Sequence, residues 1–131
     1  MKPMPSRLSS AVWTAIVPLA LVVVGAAGCN AERKQECDKF ITAMGPMQGG
    51  PPSAEATDRV LADVSAIPFQ DEPLQVYATN YKNTLTVLSN TLKLKDGAGP
   101  DGPPDGTNDV IKAKSKEART DFDDISRYCT P

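Results

Sequence analysis

The sequence predicts an all-α protein: a small up-down-up-down bundle of three long helices and a shorter one, stapled by one disulfide. Clusters rich in proline and glycine, at 45–52, 68–73 and 96–107, divide the chain into segments of helical length. Within these segments, apolar residues recur at spacings of three and four, as on one face of an amphipathic helix. The connections are short, so neighbouring helices are expected to be antiparallel.

The first two predicted helices cover residues 30–44 and 53–67. Their apolar stripes consist of Cys37, Phe40, Ile41 and Met44 in the first helix and Val60, Leu61, Val64 and Ile67 in the second. Ser53 is expected to be the N-cap of the second helix, because its side-chain oxygen can accept a hydrogen bond from the first turn. A three-helix core, with segment 53–67 as a shorter side element, is the alternative architecture.

The third predicted helix, 71–95, has the longest stripe and is expected to be the central packing element. Its stripe consists of Leu74, Tyr77, Tyr81, Leu85, Leu88 and Leu92. Asp71 stands at the N-cap position. Pro73 falls in the first turn, where a missing N–H leaves no intrahelical bond unmade.

The fourth predicted helix, 108–129, begins with Asn108 as its N-cap. Its stripe consists of Ile111, Ala118, Phe122, Ile125 and Cys129. The polar face carries the basic residues Lys112, Lys114, Lys116 and Arg119, followed by the acidic residues Asp121, Asp123 and Asp124. This face is either simply solvated or a docking surface for a charged partner protein.

Residues 1–28 have the layout of a secretory signal peptide. Lys2 and Arg7 form a basic start, the run 11–24 is apolar, and small residues follow at 25–28. The apolar run is shorter than the ~20 residues that a membrane-spanning helix needs.

The sequence Ala26-Ala27-Gly28-Cys29 resembles the lipobox of bacterial lipoproteins, although that class usually has a branched residue where Ala26 stands. The resemblance implies cleavage before Cys29 and acylation of its sulfur, which would anchor the chain in the lipid bilayer. Residues 29–36 would then form the anchored N-terminus and the start of helix one, ahead of the bundle domain at 37–131. Asn30, in place of the aspartate of an inner-membrane retention signal, favours the outer membrane of the cell envelope. An ordinary signal peptide cut nearby is the alternative.

Cys37 and Cys129 are the two cysteines that follow Cys29. An oxidising compartment outside the inner membrane would favour a bridge between them, although two free buried thiols are possible. In an up-down-up-down bundle the end of helix four lies beside the start of helix one. Both cysteines are on core-facing stripes, so the expected topology and the expected disulfide agree.

Composition excludes several classes of chemistry. The chain contains no histidine, which removes Ser-His-Asp and Cys-His catalytic sites and the histidine ligands of di-iron bundles. We therefore expect no catalytic residues, no metal and no cofactor. The formal net charge of −2 argues against nucleic-acid binding, which needs a basic patch. The aspartates of the loop at 96–107 do not follow the spacing of a calcium-binding loop, so the loop is expected to be a linker.

These observations favour an envelope lipoprotein that acts as a non-enzymatic binding or scaffolding module. The alternative is a small-ligand carrier, or a weak carboxylate-dependent enzyme, with a cleft between helices. Tyr77, Tyr81 and Phe122 are the residues that could line such a cleft. At helical spacing they could equally belong to the core.

Overall fold

The computed structural model describes residues 20–131, with side chains from Asn30 onward. Its helices are α1 (Ala20–Met44), α2 (Ala54–Ser65), α3 (Glu72–Asp96) and α4 (Thr107–Cys129), and a 3₁₀ turn at Gly45–Gln48 follows α1. Within this described part there is no strand. The all-α, disulfide-stapled bundle predicted from the sequence is confirmed.

α3 is the centre of the bundle, because it packs along both α2 and α4. The predicted stripe faces inward: Leu74, Tyr81, Leu85 and Leu88 are fully buried and Leu92 nearly so, while Tyr77 is half-buried. α2 is short, but its Val60 and Val64 are also fully buried. α2 is therefore a core helix of the bundle and not a side element.

α1 contributes aromatic packing to the same core. Phe40 and Met44 are fully buried, and the Phe40 ring lies 5.0 Å from the ring of Phe69 and 6.1 Å from that of Tyr81. Beyond Met44, the 3₁₀ turn continues over the core and places Met47 against Thr57 of α2. α1 thus reaches α3 through the Phe40–Tyr81 ring contact and packs on α2 and α4, and the 3₁₀ turn packs on α2.

Two of the three predicted N-caps are confirmed. The Ser53 hydroxyl accepts a hydrogen bond from the Ala56 N–H at 3.1 Å, and Asp71 accepts one from the Leu74 N–H at 3.2 Å. The prediction for Asn108 is wrong. Gly106, with φ of +85°, precedes the helix in a left-handed conformation that glycine adopts without strain, so α4 begins at Thr107.

α1 begins ten residues before the predicted start at residue 30. The segment from Ala20 to Cys29 contains no proline, and its two glycines each weaken a helix by only about 1 kcal/mol relative to alanine. The backbone is therefore helical without a break from Ala20 to Met44.

Candidate functional site

The lower end of the bundle, where α1 enters it, is fastened by the disulfide between Cys37 and Cys129. Their Cα atoms are 5.6 Å apart, so α1 is joined covalently to the last residue of α4. One residue earlier, the Glu36 carboxylate accepts hydrogen bonds from the Gln70 N–H at 2.6 Å and the Asp71 N–H at 3.0 Å. Glu36 therefore ties α1 to the connection between α2 and α3.

Tyr128 completes this region, which we call the basal cluster (Arg33, Glu36, Asp71, Tyr128 and the disulfide). Its hydroxyl donates a hydrogen bond to Asp71 Oδ2 at 2.7 Å, and the Arg33 guanidinium carbon lies 5.1 Å from the centre of its ring. Burial raises the pKa of the Tyr128 phenol, and the hydrogen bond to the Asp71 carboxylate raises it further. Asp71 thus caps α3 and holds α4 with the same carboxylate.

The predicted anchor residue, Cys29, is connected to the basal cluster through α1. Residues 1–19 and the Cys29 side chain lie outside the described part of the structure, so signal cleavage and acylation stay predictions. The backbone from Cys29 to Cys37 is helical, and those eight residues span ~12 Å. No helix in the described residues is long and apolar enough to cross a membrane.

The three aromatic residues predicted to line a cleft have different environments. Tyr81 is fully buried in the core, whereas Tyr77 and Phe122 are half-buried. The Tyr77 ring packs on Tyr128 of the basal cluster, with the ring centres 5.5 Å apart. Of the three, only Tyr81 lines the small cavity between α4 and the loop after the 3₁₀ turn, so a shared cleft of the three residues stays a prediction.

A small internal cavity lies between Tyr81, α4 and the loop after the 3₁₀ turn. Its volume is about 40 Å³, and the hydroxyls of Tyr81 and Ser115, both buried, line it without a hydrogen-bond partner in the described residues. A site of roughly 10–15 Å³ holds one water molecule. The cavity therefore has room for a few waters but is far smaller than a metabolite pocket of roughly 300 Å³ or more.

Two carboxylates of α4 point towards α3 and share one hydroxyl group. The Thr84 hydroxyl lies 3.1 Å from Glu117 Oε1, 3.2 Å from Asp121 Oδ2 and 3.2 Å from the Asn80 carbonyl, yet it has a single proton to donate. The hydrogen bond from Lys114 holds the pKa of Glu117 below its ordinary value. Burial, with the neighbouring Glu117 charge, raises the pKa of Asp121.

Carboxylates with divergent pKa values could in principle act as acid and base. Neither Glu117 nor Asp121 lines the Tyr81 cavity, however, so this pair has no enclosed substrate site there. The arrangement is best explained as a polar contact that fixes α4 on α3.

A second polar contact joins α2 to α3. The Ser89 hydroxyl donates a hydrogen bond to Asp58 Oδ1, and the Lys93 ammonium lies 2.8 Å from Asp58 Oδ2. The hydrogen bond from Lys93 lowers the pKa of Asp58, which makes it a weaker base. Ser89 is itself buried, so this serine fastens two helices and is not placed to attack a substrate.

The outer face of α4 carries a row of cations, Lys112, Lys116 and Arg119, which we call the α4 cationic row. The three are exposed at spacings of four and three, and none of them takes part in the ion pairs formed by the described side chains. Asp121 is directed at Thr84, and Asp124 pairs with Arg127 at 3.3 Å. Exposed Asp109 and Asp123 continue the same face at spacings of three and four from the two ends of the α4 cationic row, so three consecutive cations lie on this face between two aspartates.

A surface groove lies between α1 and α2 and has a volume of about 430 Å³. Ala43 and Ile67 form its apolar part, and Asp38, Lys39 and Asp63 border it. Its volume is in the range of small-molecule sites. The sequence did not point to it, because its two sides are at least twenty residues apart in the chain.

The loop between α3 and α4 has its aspartates exposed: Asp96, Asp101 and Asp105, with Asp109 in the first turn of α4. Across residues 30–131, no group of three or more histidine, cysteine, aspartate or glutamate side chains is placed to hold a metal ion. That the loop is a linker without a bound cation stays a prediction.

Comparison with known proteins assigns no family. No protein-family model matches the chain, and neither a curated protein nor a solved structure is significantly similar to it.

Proposed function

We propose that this protein is a lipid-anchored lipoprotein of the bacterial cell envelope that acts as a non-enzymatic scaffold. The observation that carries the proposal is the unbroken helix from Cys29 to the disulfide at Cys37. A flexible tether would let a domain search the space around its anchor. Here the residue that would carry the lipid belongs to the same rigid helix as the basal cluster.

The basal cluster supports this role because it transmits the position of α1 to the whole bundle. α1 is bonded to α4 through the disulfide and to the start of α3 through Glu36 and Asp71. A bundle fixed in this way would hold its lateral faces at a constant height and direction above the membrane. This property suits presentation of a binding surface better than capture of a soluble substrate.

The surface proposed for the partner is the α4 cationic row. Three cations along one helix face complement an acidic segment of another envelope protein, and such complementarity speeds and orients encounter. The affinity contributed by each exposed charge pair is small, at most ~1 kcal/mol, so the row would select and orient the partner.

The anchor is tested by Cys29→Ser in the full chain expressed in a bacterial host, with Asn30→Ser as the matched control. We expect the wild type and Asn30→Ser in the membrane fraction, with a diacylglyceryl adduct on the N-terminal peptide by mass spectrometry. Cys29→Ser should lack the adduct and leave the membrane. An unmodified Cys29 in the wild type would refute the proposal.

The docking surface is tested by photo-crosslinking in intact cells, with the crosslinker at Lys116 and, as a control, at Ser65, which is exposed on α2. A discrete adduct at Lys116 that disappears with Lys112→Glu and Arg119→Glu would support the α4 cationic row. An adduct that survives both charge reversals would exclude it.

A small-ligand carrier is the second candidate, and the groove between α1 and α2 is the observation that favours it. Its apolar part is limited to a few side chains and it is open to solvent, whereas carrier pockets bury most of the ligand surface. A ligand that copurifies with the wild type and is lost on Ala43→Glu, with Ala62→Glu, exposed on α2 and outside the groove lining, as control, would favour the carrier.

A further inference from the structure

The outer face of α3 carries a second stripe that the bundle does not use. It consists of Val76, Asn80, Asn83, Val87, Asn90 and Leu94, all of them exposed. Val76, Val87 and Leu94 are 58%, 42% and 58% exposed, and they are three of the four large hydrophobic residues that the described surface exposes. We call this set the outer α3 stripe.

The outer α3 stripe has the spacing of a coiled-coil seam. Its residues follow one another at intervals of 4, 3, 4, 3 and 4, which are the a and d positions of a heptad. The inward stripe of the same helix lies on the opposite side and fills the core. α3 thus packs its inward stripe into its own bundle and exposes a second stripe that has the spacing for contact with another helix.

The surroundings of the outer α3 stripe are free of charge over most of its length. From Gln75 to Asn90, the exposed residues of α3 are glutamine, valine, threonine and asparagine only. Half-buried Lys82 is the one charged side chain in that interval. Depletion of charge is the compositional sign of an interface core, and 23% of the whole sequence is charged.

We propose that the outer α3 stripe is the contact between two copies of this chain, packed in parallel and in register. A two-fold contact of this kind places each residue of the seam opposite its own counterpart, which an uncharged stripe tolerates and a charged one does not. An asparagine carries both donors and an acceptor, so Asn80 can pair with Asn80 of the second copy. Asparagine at an a position is known to fix register and oligomeric state.

The parallel direction rests on the proposed function, because both copies would be anchored in one membrane through Cys29. The start of α3 lies in the basal cluster, where Asp71 contacts Glu36 and Tyr128. α3 therefore runs away from the anchored end in both copies. A two-fold axis along the membrane normal then aligns the two helices in the same direction.

The size of the outer α3 stripe sets the strength of the contact. From Val76 to Leu94 the helix rises ~27 Å, which is five turns of a single helix. Such a contact buries less than the ~800 Å² per partner of a standard stable interface, and half of its seam residues are asparagine. The dimer is therefore weak in solution and forms when two chains share a membrane, where the effective concentration is high.

The test uses the full chain in the bacterial envelope, with Val76→Cys and Leu94→Cys made separately. In a parallel dimer each variant forms a disulfide-linked dimer with itself under mild oxidation. In an antiparallel dimer the two positions face each other, so only a mixture of the two variants would link. Thr120→Cys, exposed on α4, is the control and should remain monomeric.

A charge placed in the seam tests whether the crosslink reports this contact. Asn83→Lys, added to Val76→Cys, should lower the fraction of linked dimer about tenfold, whereas Thr120→Lys should leave it unchanged. Equal yields with both lysine variants would mean that random collision links the chains, and would overturn the proposal.

The outcomes separate this inference from the anchor. If Cys29 is acylated and neither stripe variant forms a disulfide-linked dimer with itself, the proposed dimer is refuted and the proposed lipid anchor is supported. If Cys29 is unmodified, the lipoprotein is wrong, and linking of the soluble chain at high protein concentration, where a weak dimer is populated, decides the stripe: self-linking at both positions supports it, and monomers refute it.

Discussion

Replacing Glu36 should weaken the bundle more than any other exchange of a charged residue on α1. Glu36 is only 8% exposed and accepts two backbone hydrogen bonds, from Gln70 and Asp71. Glu36→Ala removes the acceptor of both N–H groups at the point where the chain turns from α2 into α3. The turn then keeps the Asp71 cap, the hydrogen bond from Tyr128 to Asp71 and the one from the Gln75 amide to the Phe69 carbonyl, but loses its connection to α1.

The expected loss of stability in Glu36→Ala follows from the number and kind of hydrogen bonds that are removed. A hydrogen bond to a charged group contributes ~1.5–3 kcal/mol to stability, and two are lost. The connection lies near the surface, so water can replace part of each bond. We expect Glu36→Ala to reduce the free energy of unfolding by about 3 kcal/mol, and Glu36→Gln, which keeps one oxygen, by about half of that.

The assay is chemical denaturation of the soluble domain with the disulfide intact. Glu32→Ala, one turn earlier on α1 and exposed, is the matched control and should change stability by no more than ~0.5 kcal/mol. The denaturant slope should be the same in all variants, so that midpoints report stability. If Glu36→Ala and Glu32→Ala unfold at the same midpoint, the two hydrogen bonds do not fasten α1, and the rigid connection to the anchor loses its main polar support.

Three further predictions address the core and its polar contacts. Leu85→Ala should lower the free energy of unfolding by ~2–5 kcal/mol, because the side chain is fully buried. Asn83→Ala should lower it by at most ~0.5 kcal/mol in the monomeric domain. Denaturation midpoints of the two variants make the comparison. Asp121→Asn should stabilise the protein at pH 7, because the raised pKa of Asp121 means that folding disfavours its charged form. This gain in stability should vanish below the ordinary pKa of 3.8, where Asp121 is protonated in both the folded and the unfolded chain. Melting temperatures of both proteins from pH 3 to 7 test this sign. Tyr128→Phe should destabilise the domain by about 1 kcal/mol by removing the bond to Asp71, whereas Tyr81→Phe should change stability by no more than ~0.5 kcal/mol, because the Tyr81 hydroxyl has no described protein partner to lose and lines a cavity with room for water; equal effects of the two would contradict the assignment.

The helices could be predicted because their signals are local. The stripe of α3 and the caps at Ser53 and Asp71 depend on residues within one or two turns, and the structure confirms them. The prediction of Asn108 as an N-cap was wrong because both asparagine and glycine occur at N-caps, and in α4 the N-cap is Gly106. The left-handed backbone at Gly106 decided the start of α4.

The polar contacts could not be predicted, because their partners are far apart in the chain. Glu36 lies 34 residues from Gln70, Asp58 lies 31 from Ser89, and Thr84 lies 37 from Asp121. A signal was nevertheless present. Ser89 and Thr84 sit directly beside the inward stripe of α3, where a polar residue needs a partner, although the sequence does not say which one.

The proposed anchor and the disulfide support each other from independent features of the chain. The predicted leader and the lipobox-like sequence within 1–29 would imply export, while the bridge between Cys37 and Cys129 is of the kind that persists in oxidising compartments outside the cytoplasm. Such bonds are rare in cytosolic proteins, because thiols are kept reduced in the cytosol. The anchor proposal thus rests on more than a four-residue motif.

The position of the anchor also determines which surfaces can meet a partner. If Cys29 is acylated as proposed, the basal cluster would lie within ~12 Å of helix from the lipid surface, and α3 would run away from it over ~37 Å along its 25 residues. The outer α3 stripe and the α4 cationic row run along the sides of the bundle, parallel to that rise. Under the proposed anchor they would face neighbours held in the same membrane. Binding there gains from a high local concentration, which compensates for contacts that would be weak between freely diffusing chains.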